Sequence, residues 1–200
     1  MIKLSDHTFR TGSCTGGRRD LSVFQRILLG SDGTMTSLLE AILGEELYVN
    51  KIREEVSRTS TDFPDLDVCE GQRLWRRTVT LKGRVSGINC LHADSLIAPD
   101  HLGRKFSETL LSSKAPIGKV WDLFQIETYK SLVEWGETQA GDAAGYFPVG
   151  EGEVFLYRVY RVFSQKKPIM KITEKFPREW FLDSGFSPEL IAGGELSMIR

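Results

Sequence analysis

The sequence predicts an α+β fold on a single antiparallel β-sheet of about six strands. Two observations carry this. Six apolar segments of strand length follow one another mostly in hairpin order, and the helical segments cluster before and between them. The 200 residues are 40% hydrophobic and 26% charged, enough apolar material for a sizeable core and against wholesale disorder.

The elements run as follows. Residues 22–30 (SVFQRILLG) predict a short helix closed by Gly30, because glycine suits the left-handed position after a helix end. Asp32-Gly33 is a turn signal. A second short helix follows, with Ser37 and Glu40 at capping-box spacing, a stripe of Leu38, Leu39 and Ile42, and Gly44 as its stop. Residues 46–55 read as a strand, and the polar stretch through 71, with Pro64, reads as a long connection. Two strands, 73–82 and 86–98, flank a hairpin turn at Lys82-Gly83-Arg84-Val85, and Pro99 ends the second. Helices follow at 102–112 and 117–125, the latter opened by Pro116, whose missing N–H is not needed there. Strands at 126–135, 153–163 and 168–176 complete the set, with a Gly-rich loop over 136–152 and a tight connection at Gln165-Lys166-Lys167. Beyond Pro177 a short helix or coil is expected. The chain divides into a polar, flexible leader (1–20), one domain (21–180) and a tail (181–200).

Lys plus Arg (26) nearly balance Asp plus Glu (27), so the net charge of −1 provides no global basic field for nucleic acid. No run of about 18 apolar residues would span a membrane, and the N-terminus lacks the apolar core of a signal peptide. Cys14, Cys69 and Cys90 form neither a disulfide framework nor a zinc pattern and fit a reducing cytoplasm. His7, His92 and His101 are scattered without ligand spacing, so no metal site is expected. A monomer is the default expectation.

Side chains of a strand alternate between faces. On 74–82 one face carries Leu74, Arg76, Thr78, Thr80 and Lys82, where a charge is normal. The other carries Trp75, Arg77, Val79 and Leu81, so Arg77 interrupts the core face. Strand 168–176 repeats the anomaly with opposite sign: Met170, Ile172, Glu174 and Phe176 share the apolar face. An isolated buried charge costs several kcal/mol, so each group needs a partner or a wet cavity. One reading is a buried ion pair, Arg77 with Glu174 or with another acid. The other is a small, largely apolar pocket with converging polar groups, the usual form of a metabolite site. There Arg77 would grip a carboxylate through its planar fork, and Glu174 would act as general acid or base. Arg158 and Arg161 fall on opposite faces of strand 154–163, so one of the two is expected to face the pocket.

From residue 22 to 177 the chain resembles the chorismate pyruvate-lyase family, in its archaeal, mycobacterial and cyanobacterial-like branch. The pieces that carry the likeness are, in order, LLGSDGTMTSLLE, LWRRTVTLKG, HADSLIAPDHL, SKAPIGKVW, IETYKSLVEWG, YRVYRVFSQKKPIM and ITEKFP. The resemblance implies an antiparallel sheet with helical flaps over an internal ligand, and cofactor-free conversion of chorismate to 4-hydroxybenzoate, a quinone-ring precursor, and pyruvate. It implies that Arg77 binds the ring carboxylate and that Glu174 contacts the ligand hydroxyl and supports proton transfer. Met35 and Ile117 match flap positions whose backbone amides line the site. Ser95 stands where the enterobacterial branch has an arginine, so a second substrate-binding arginine would come from elsewhere, with Arg158 and Arg161 as candidates. Two alternatives stay open: a lyase giving another hydroxybenzoate, and a non-catalytic binder akin to the effector domains of bacterial transcription regulators. Against the regulator, only about 20 residues precede the matched region, too few for a helix-turn-helix module.

Overall fold

The computed structural model describes residues 20–113, 115–183 and 185–186. The leader expected over 1–20, apart from Asp20, and the tail beyond 186 lie outside the described residues.

Six antiparallel strands form one sheet in the order β1-β2-β3-β6-β5-β4. They are β1 (Leu47–Arg58), β2 (Arg73–Gly83), β3 (Asn89–Ile97), β4 (Tyr129–Gln139), β5 (Val154–Ser164) and β6 (Lys167–Pro177). The first three and the last three are each a meander, and pairing of β3 with β6 joins them at the centre. This is the α+β class expected from the hairpin order. Two helix pairs supply the α part. α1 (Val23–Gly30) and α2 (Met35–Leu43) precede the sheet, and α3 (Arg104–Ser112) and α4 (Ile117–Phe124) connect the two meanders.

Both helix pairs pack on one face of the sheet. Leu28 and Leu29 of α1 and Met35 and Leu39 of α2 share a core with Val49, Val79, Leu81, Leu91 and Phe176. Phe106 and Leu110 of α3 and Val120 and Trp121 of α4 share a second core with Trp75, Ile97, Tyr160, Met170 and Ile172. Apolar side chains at helical spacing on short helices bury only one stripe each, so the sheet must supply the other wall. The opposite face is covered by loops. Asp65 of the 59–72 connection meets Lys171, Tyr146 of the 140–153 loop stacks on His92, and Phe147 of the same loop meets Phe155 edge-on.

Local chemistry differs from the sequence reading in several places. Gly30 is helical rather than left-handed, and α1 is capped at its C-terminus by an extended Ser31. The capping box of α1 is made by Ser22 and Gln25. The Ser37–Glu40 spacing in α2 goes unused, because the helix already starts at Met35 and Glu40 turns to Leu47 and Lys119 instead. Gly44 does close α2, at φ +70. β4 runs on through Gln139, so the first residues of the Gly-rich segment are strand and not loop. Past Pro177 the expected short helix is a single 3-10 turn, Arg178–Trp180, and the chain then stays in the core: Phe181 is fully buried and opens a two-residue strand, β7 (Phe181–Leu182), paired with β8 (Gly185–Phe186).

Two register slips shape the functional face. One lies in β1 between Lys51 and Arg53, the other in β4 between Leu132 and Glu134. Each inserts one extra residue, which reverses the in-out alternation beyond it.

Candidate active site

The side chains of Arg77 and Glu174 emerge on the helix-covered face of the sheet. The register fixes this: Arg77 pairs with Ser95, Ser95 with Ile172, and Ile172 with Tyr160. The next row is Val79, Ala93, Glu174 and Arg158. Arg77 and Glu174 are thus one row and two strands apart, about 10 Å across the sheet at ordinary strand spacing. Between them β3 offers only the small side chains Ala93 and Ser95.

That gap is the floor of a cavity. Arg77, Val79, Ala93, Ser95, Tyr160, Ile172 and Glu174 line it from the sheet. Met35 and Thr36 of α2 and Ile117, Gly118 and Trp121 of α4 line it from above, and Lys130 of β4 lines it from the side. The cavity therefore lies at the seam between the two helix pairs. The seam is tight, since a Cβ on Gly118 would overlap Cγ2 of Thr34. It is also latched by charge, because Lys119 of α4 donates to Glu40 of α2 at 2.7 Å.

Arg77 is 3% exposed. Its Nε lies 3.2 Å from Oε1 of Glu54, an ion pair with a more exposed carboxylate. Yet Nε and Nη2 are buried with no hydrogen-bond partner among the described residues. Burial pulls the Arg77 pKa below its ordinary value, and Glu54 only partly opposes that. A buried guanidinium with unused donors, aimed into a cavity, is a ready partner for a carboxylate.

Glu174, 5% exposed, is held from both sides. Its Oε2 accepts from Nε of Arg158 at 2.6 Å, and its Oε1 accepts from the hydroxyl of Tyr160 at 2.8 Å. Arg158 is 1% exposed and uses Nη1 to donate to the carbonyls of Leu28 and Ser31, at the C-terminal end of α1. Burial alone would lower the Arg158 pKa, but the adjacent Glu174 outweighs it and the net shift is upward. Burial and Glu174 together raise the Tyr160 phenol well above its ordinary value, so it remains a donor.

The expected residues thus separate. Arg77, Glu174, Met35 and Ile117 line one cavity. Arg158 and Arg161 do not line it. Arg158 faces the right side but spends its donors on Glu174 and α1. Arg161 lies on the opposite face, 3.8 Å from Asp65. No direct Arg77–Glu174 ion pair occurs among the described residues; each has its own partner. The sequence reading missed Glu54, Tyr160 and Lys130. Tyr160 could have been found, since it shares the alternation of Arg158 on β5. Glu54 and Lys130 lie on the two bulged strands.

Among the described residues no group of three or more His, Cys, Asp or Glu side chains is placed to hold a metal. No helix there is long and apolar enough to cross a membrane. An apolar cavity with a buried guanidinium, an ammonium and an anchored carboxylate suits a small organic anion.

Comparison with known proteins gives this a frame. Residues 28–182 match the family described as Chorismate pyruvate-lyase Rv2949c-like. The chain is 32% identical over 173 residues to a chorismate pyruvate-lyase of Mycobacterium tuberculosis (strain ATCC 25618 / H37Rv), covering 83% of this chain and 85% of that one. It is 32% identical over 165 residues to the chorismate pyruvate-lyase of Mycobacterium leprae (strain TN), covering 80% and 76%. Among solved structures, the effector domain of PhnF from Mycobacterium smegmatis aligns with a TM-score of 0.56 at 11% identity, over 74% of this chain and 90% of that one. The C-terminal domain of the histidine utilization repressor from Pseudomonas syringae aligns at 0.51 and 14%, over 67% and 93%. At those identities the structural likeness speaks for the fold alone.

Proposed function

The chain belongs to the chorismate pyruvate-lyase family, and we propose that it eliminates pyruvate from chorismate to give 4-hydroxybenzoate, with Arg77 gripping the ring carboxylate and Glu174 addressing the ring hydroxyl. The observation that carries the residue roles is the pair itself: a buried guanidinium with unused donors and a fixed carboxylate, facing each other across one apolar cavity.

Chorismate carries two carboxylates, a ring hydroxyl and an enolpyruvyl ether. In the reaction the ring C–O bond of the ether breaks. The hydrogen on the hydroxyl-bearing ring carbon moves to the enolpyruvyl methylene, which becomes the methyl of pyruvate. The ring becomes aromatic, and this supplies the driving force. Atoms and electrons balance without a co-reactant, so the protein has to bind, orient and stabilise developing charge.

Arg77 sets the ring in place through its carboxylate. Glu174 uses a spare acceptor position, since a carboxylate has about four and two are taken here. From there it accepts the hydrogen bond of the ring hydroxyl and pushes electron density toward the carbon that loses its hydrogen. Arg158 and Tyr160 hold Glu174 still while it does so. The α2 and α4 N-termini, at Met35 and Ile117, have no side-chain cap bond. Their first-turn amides favour the negative charge that builds on the departing ether oxygen. The free thiols of Cys69 and Cys90 support a reducing, cytoplasmic setting, and a monomer is proposed as the working unit.

Mixing the purified protein with chorismate and measuring pyruvate by a coupled dehydrogenase tests the reading, with chromatography of the aromatic product. Equal amounts of pyruvate and 4-hydroxybenzoate are expected. Glu174→Gln should lower turnover by ~10²–10⁴-fold as a lost acid/base or polarising group. Tight chorismate binding with no pyruvate would instead support a ligand sensor. A 3-hydroxybenzoate product would keep the lyase chemistry and change the regiochemistry.

A further inference from the structure

A dianionic substrate needs a second cation, and neither of the remaining buried or half-buried arginines on β5 can serve. Arg158 is consumed by Glu174 and by the end of α1, and Arg161 is on the other side of the sheet. Ser95, opposite Arg77, carries no charge. We infer that Lys130 of β4 is the residue that binds the second carboxylate, the one on the enolpyruvyl side chain, and so selects dicarboxylate over monocarboxylate ligands.

Four observations support this placement. Lys130 lines the same cavity as Arg77 and Glu174. Its Nζ donates to the carbonyl of Gly33 at 2.7 Å, which fixes the ammonium beside the start of α2 and uses one of its three protons. It lies 5.8 Å from the ring centroid of Tyr160, so an aromatic wall flanks it on one side. The groups that act on it electrostatically are Glu174, Arg158, Asp32 and Asp122, and none of the three carboxylates makes an ion pair with it within 4.0 Å among the described residues. The ammonium is therefore positioned but not saturated. Burial lowers its pKa, with Glu174 opposing, and a bound carboxylate would oppose it in the same sense.

The span also fits. Lys130 pairs with Val162 at the β4 edge, four strands from Arg77 in the sheet. That is about 19 Å between backbones at ordinary strand spacing. Both side chains are long and line the same cavity, and the strand that carries Glu174 lies between theirs.

This inference rests on the proposed lyase reading, and its test separates the two. Two unreactive probes, 3-(carboxymethoxy)benzoate and 3-methoxybenzoate, differ only in the second carboxylate. Calorimetry on the full chain should show wild type preferring the dicarboxylate by ~10–100-fold, as for a desolvated charge pair. Lys130→Met should erase that preference while binding 3-methoxybenzoate within about threefold of wild type. Lys130→Arg should keep most of it. With chorismate, Lys130→Met should raise KM more than it lowers kcat. Retention of the preference in Lys130→Met, or equal loss of both probes in a variant that melts like wild type, overturns the role of Lys130. Failure of wild type to release pyruvate from chorismate overturns the lyase reading instead. If Lys130→Met does not fold, Lys130→Gln is read the same way.

Discussion

Arg158 and Glu174 stand directly opposite each other on β5 and β6, joined Nε to Oε2 at 2.6 Å, and the far side of the same guanidinium caps the end of α1. One side chain thus ties the proposed reactive carboxylate to the helix pair that roofs the cavity. The arrangement uses the fork of arginine in two directions, which a lysine cannot copy.

Arg158→Met should be strongly destabilising, because it leaves Glu174 buried without its cation and two carbonyls of α1 without a donor. A loss of ~3–5 kcal/mol is expected in urea unfolding. The double variant Arg158→Met/Glu174→Met should recover much of that loss and remain inactive. Arg158→Lys should fall between. If the single and double variants were equally unstable, the ion pair would not be what holds this corner of the sheet together.

Tyr160→Phe removes the other hydrogen bond to Glu174. Hydrogen bonds to charged groups contribute ~1.5–3 kcal/mol, so a similar loss of stability is expected, along with a fall in kcat as Glu174 loses its second restraint. The phenol also sets a pH dependence. Its pKa is raised in the folded protein by burial and by Glu174. Above the ordinary tyrosine value, about 10, the unfolded chain releases a proton that the folded chain keeps. Stability contributed by Tyr160 is therefore intact below that pH and declines above it. Wild type should lose stability faster than Tyr160→Phe on raising the pH past that point, which alkaline denaturation curves of the two proteins would show.

How far the sequence reveals this site depends on where the strands are regular. β2 and β6 carry no bulge near Arg77 and Glu174, so simple alternation places both on the apolar face. β1 and β4 each slip by one residue, at Ile52 and Val133, and the slip brings Lys51 and Glu54, or Leu132 and Trp135, onto the same face. Period-2 reading fails there, and in β1 it hides Glu54, the partner of Arg77. Arg158 is legible as an inward arginine but not as a clamp, since its acceptors on α1 are some 130 residues earlier in the chain. The hairpin order gives the sheet almost entirely, because each meander is local. Pairing of β3 with β6 across two helices leaves no local signature, and it is this pairing that brings Glu174 toward Arg77.

The approach of α4 to α2 at Gly118 gives a steric prediction. Gly118→Ala would push its new methyl into Cγ2 of Thr34. Overpacking of this kind costs ~1–3 kcal/mol where the neighbours cannot move, and here the flaps can part. The expected outcome is a modest loss of melting temperature with faster release of bound 4-hydroxybenzoate, read by stopped-flow fluorescence. Thr34→Ser removes the methyl in the way, so the double variant Gly118→Ala/Thr34→Ser should return toward wild type. Lack of any rescue would mean that the seam is held elsewhere, with the Lys119–Glu40 ion pair the first place to look.

Arg77 allows binding and stability to be pulled apart. A structural ion pair and a substrate clamp make opposite predictions for Arg77→Met. If the guanidinium served the fold, its removal would strand Glu54 and cost several kcal/mol. Glu54, however, keeps a second cation, with Lys51 at 3.0 Å, and is partly open to solvent. Arg77 itself has buried donors without partners, which weighs against the folded state. Methionine fills similar space without that penalty. Arg77→Met should therefore unfold at the same or a higher urea concentration than wild type, while its affinity for 4-hydroxybenzoate falls by ~2–5 kcal/mol. Arg77→Lys should recover only part of the binding, because a point charge cannot make the two parallel bonds of the guanidinium. Lower stability with unchanged ligand affinity would return Arg77 to a purely structural role.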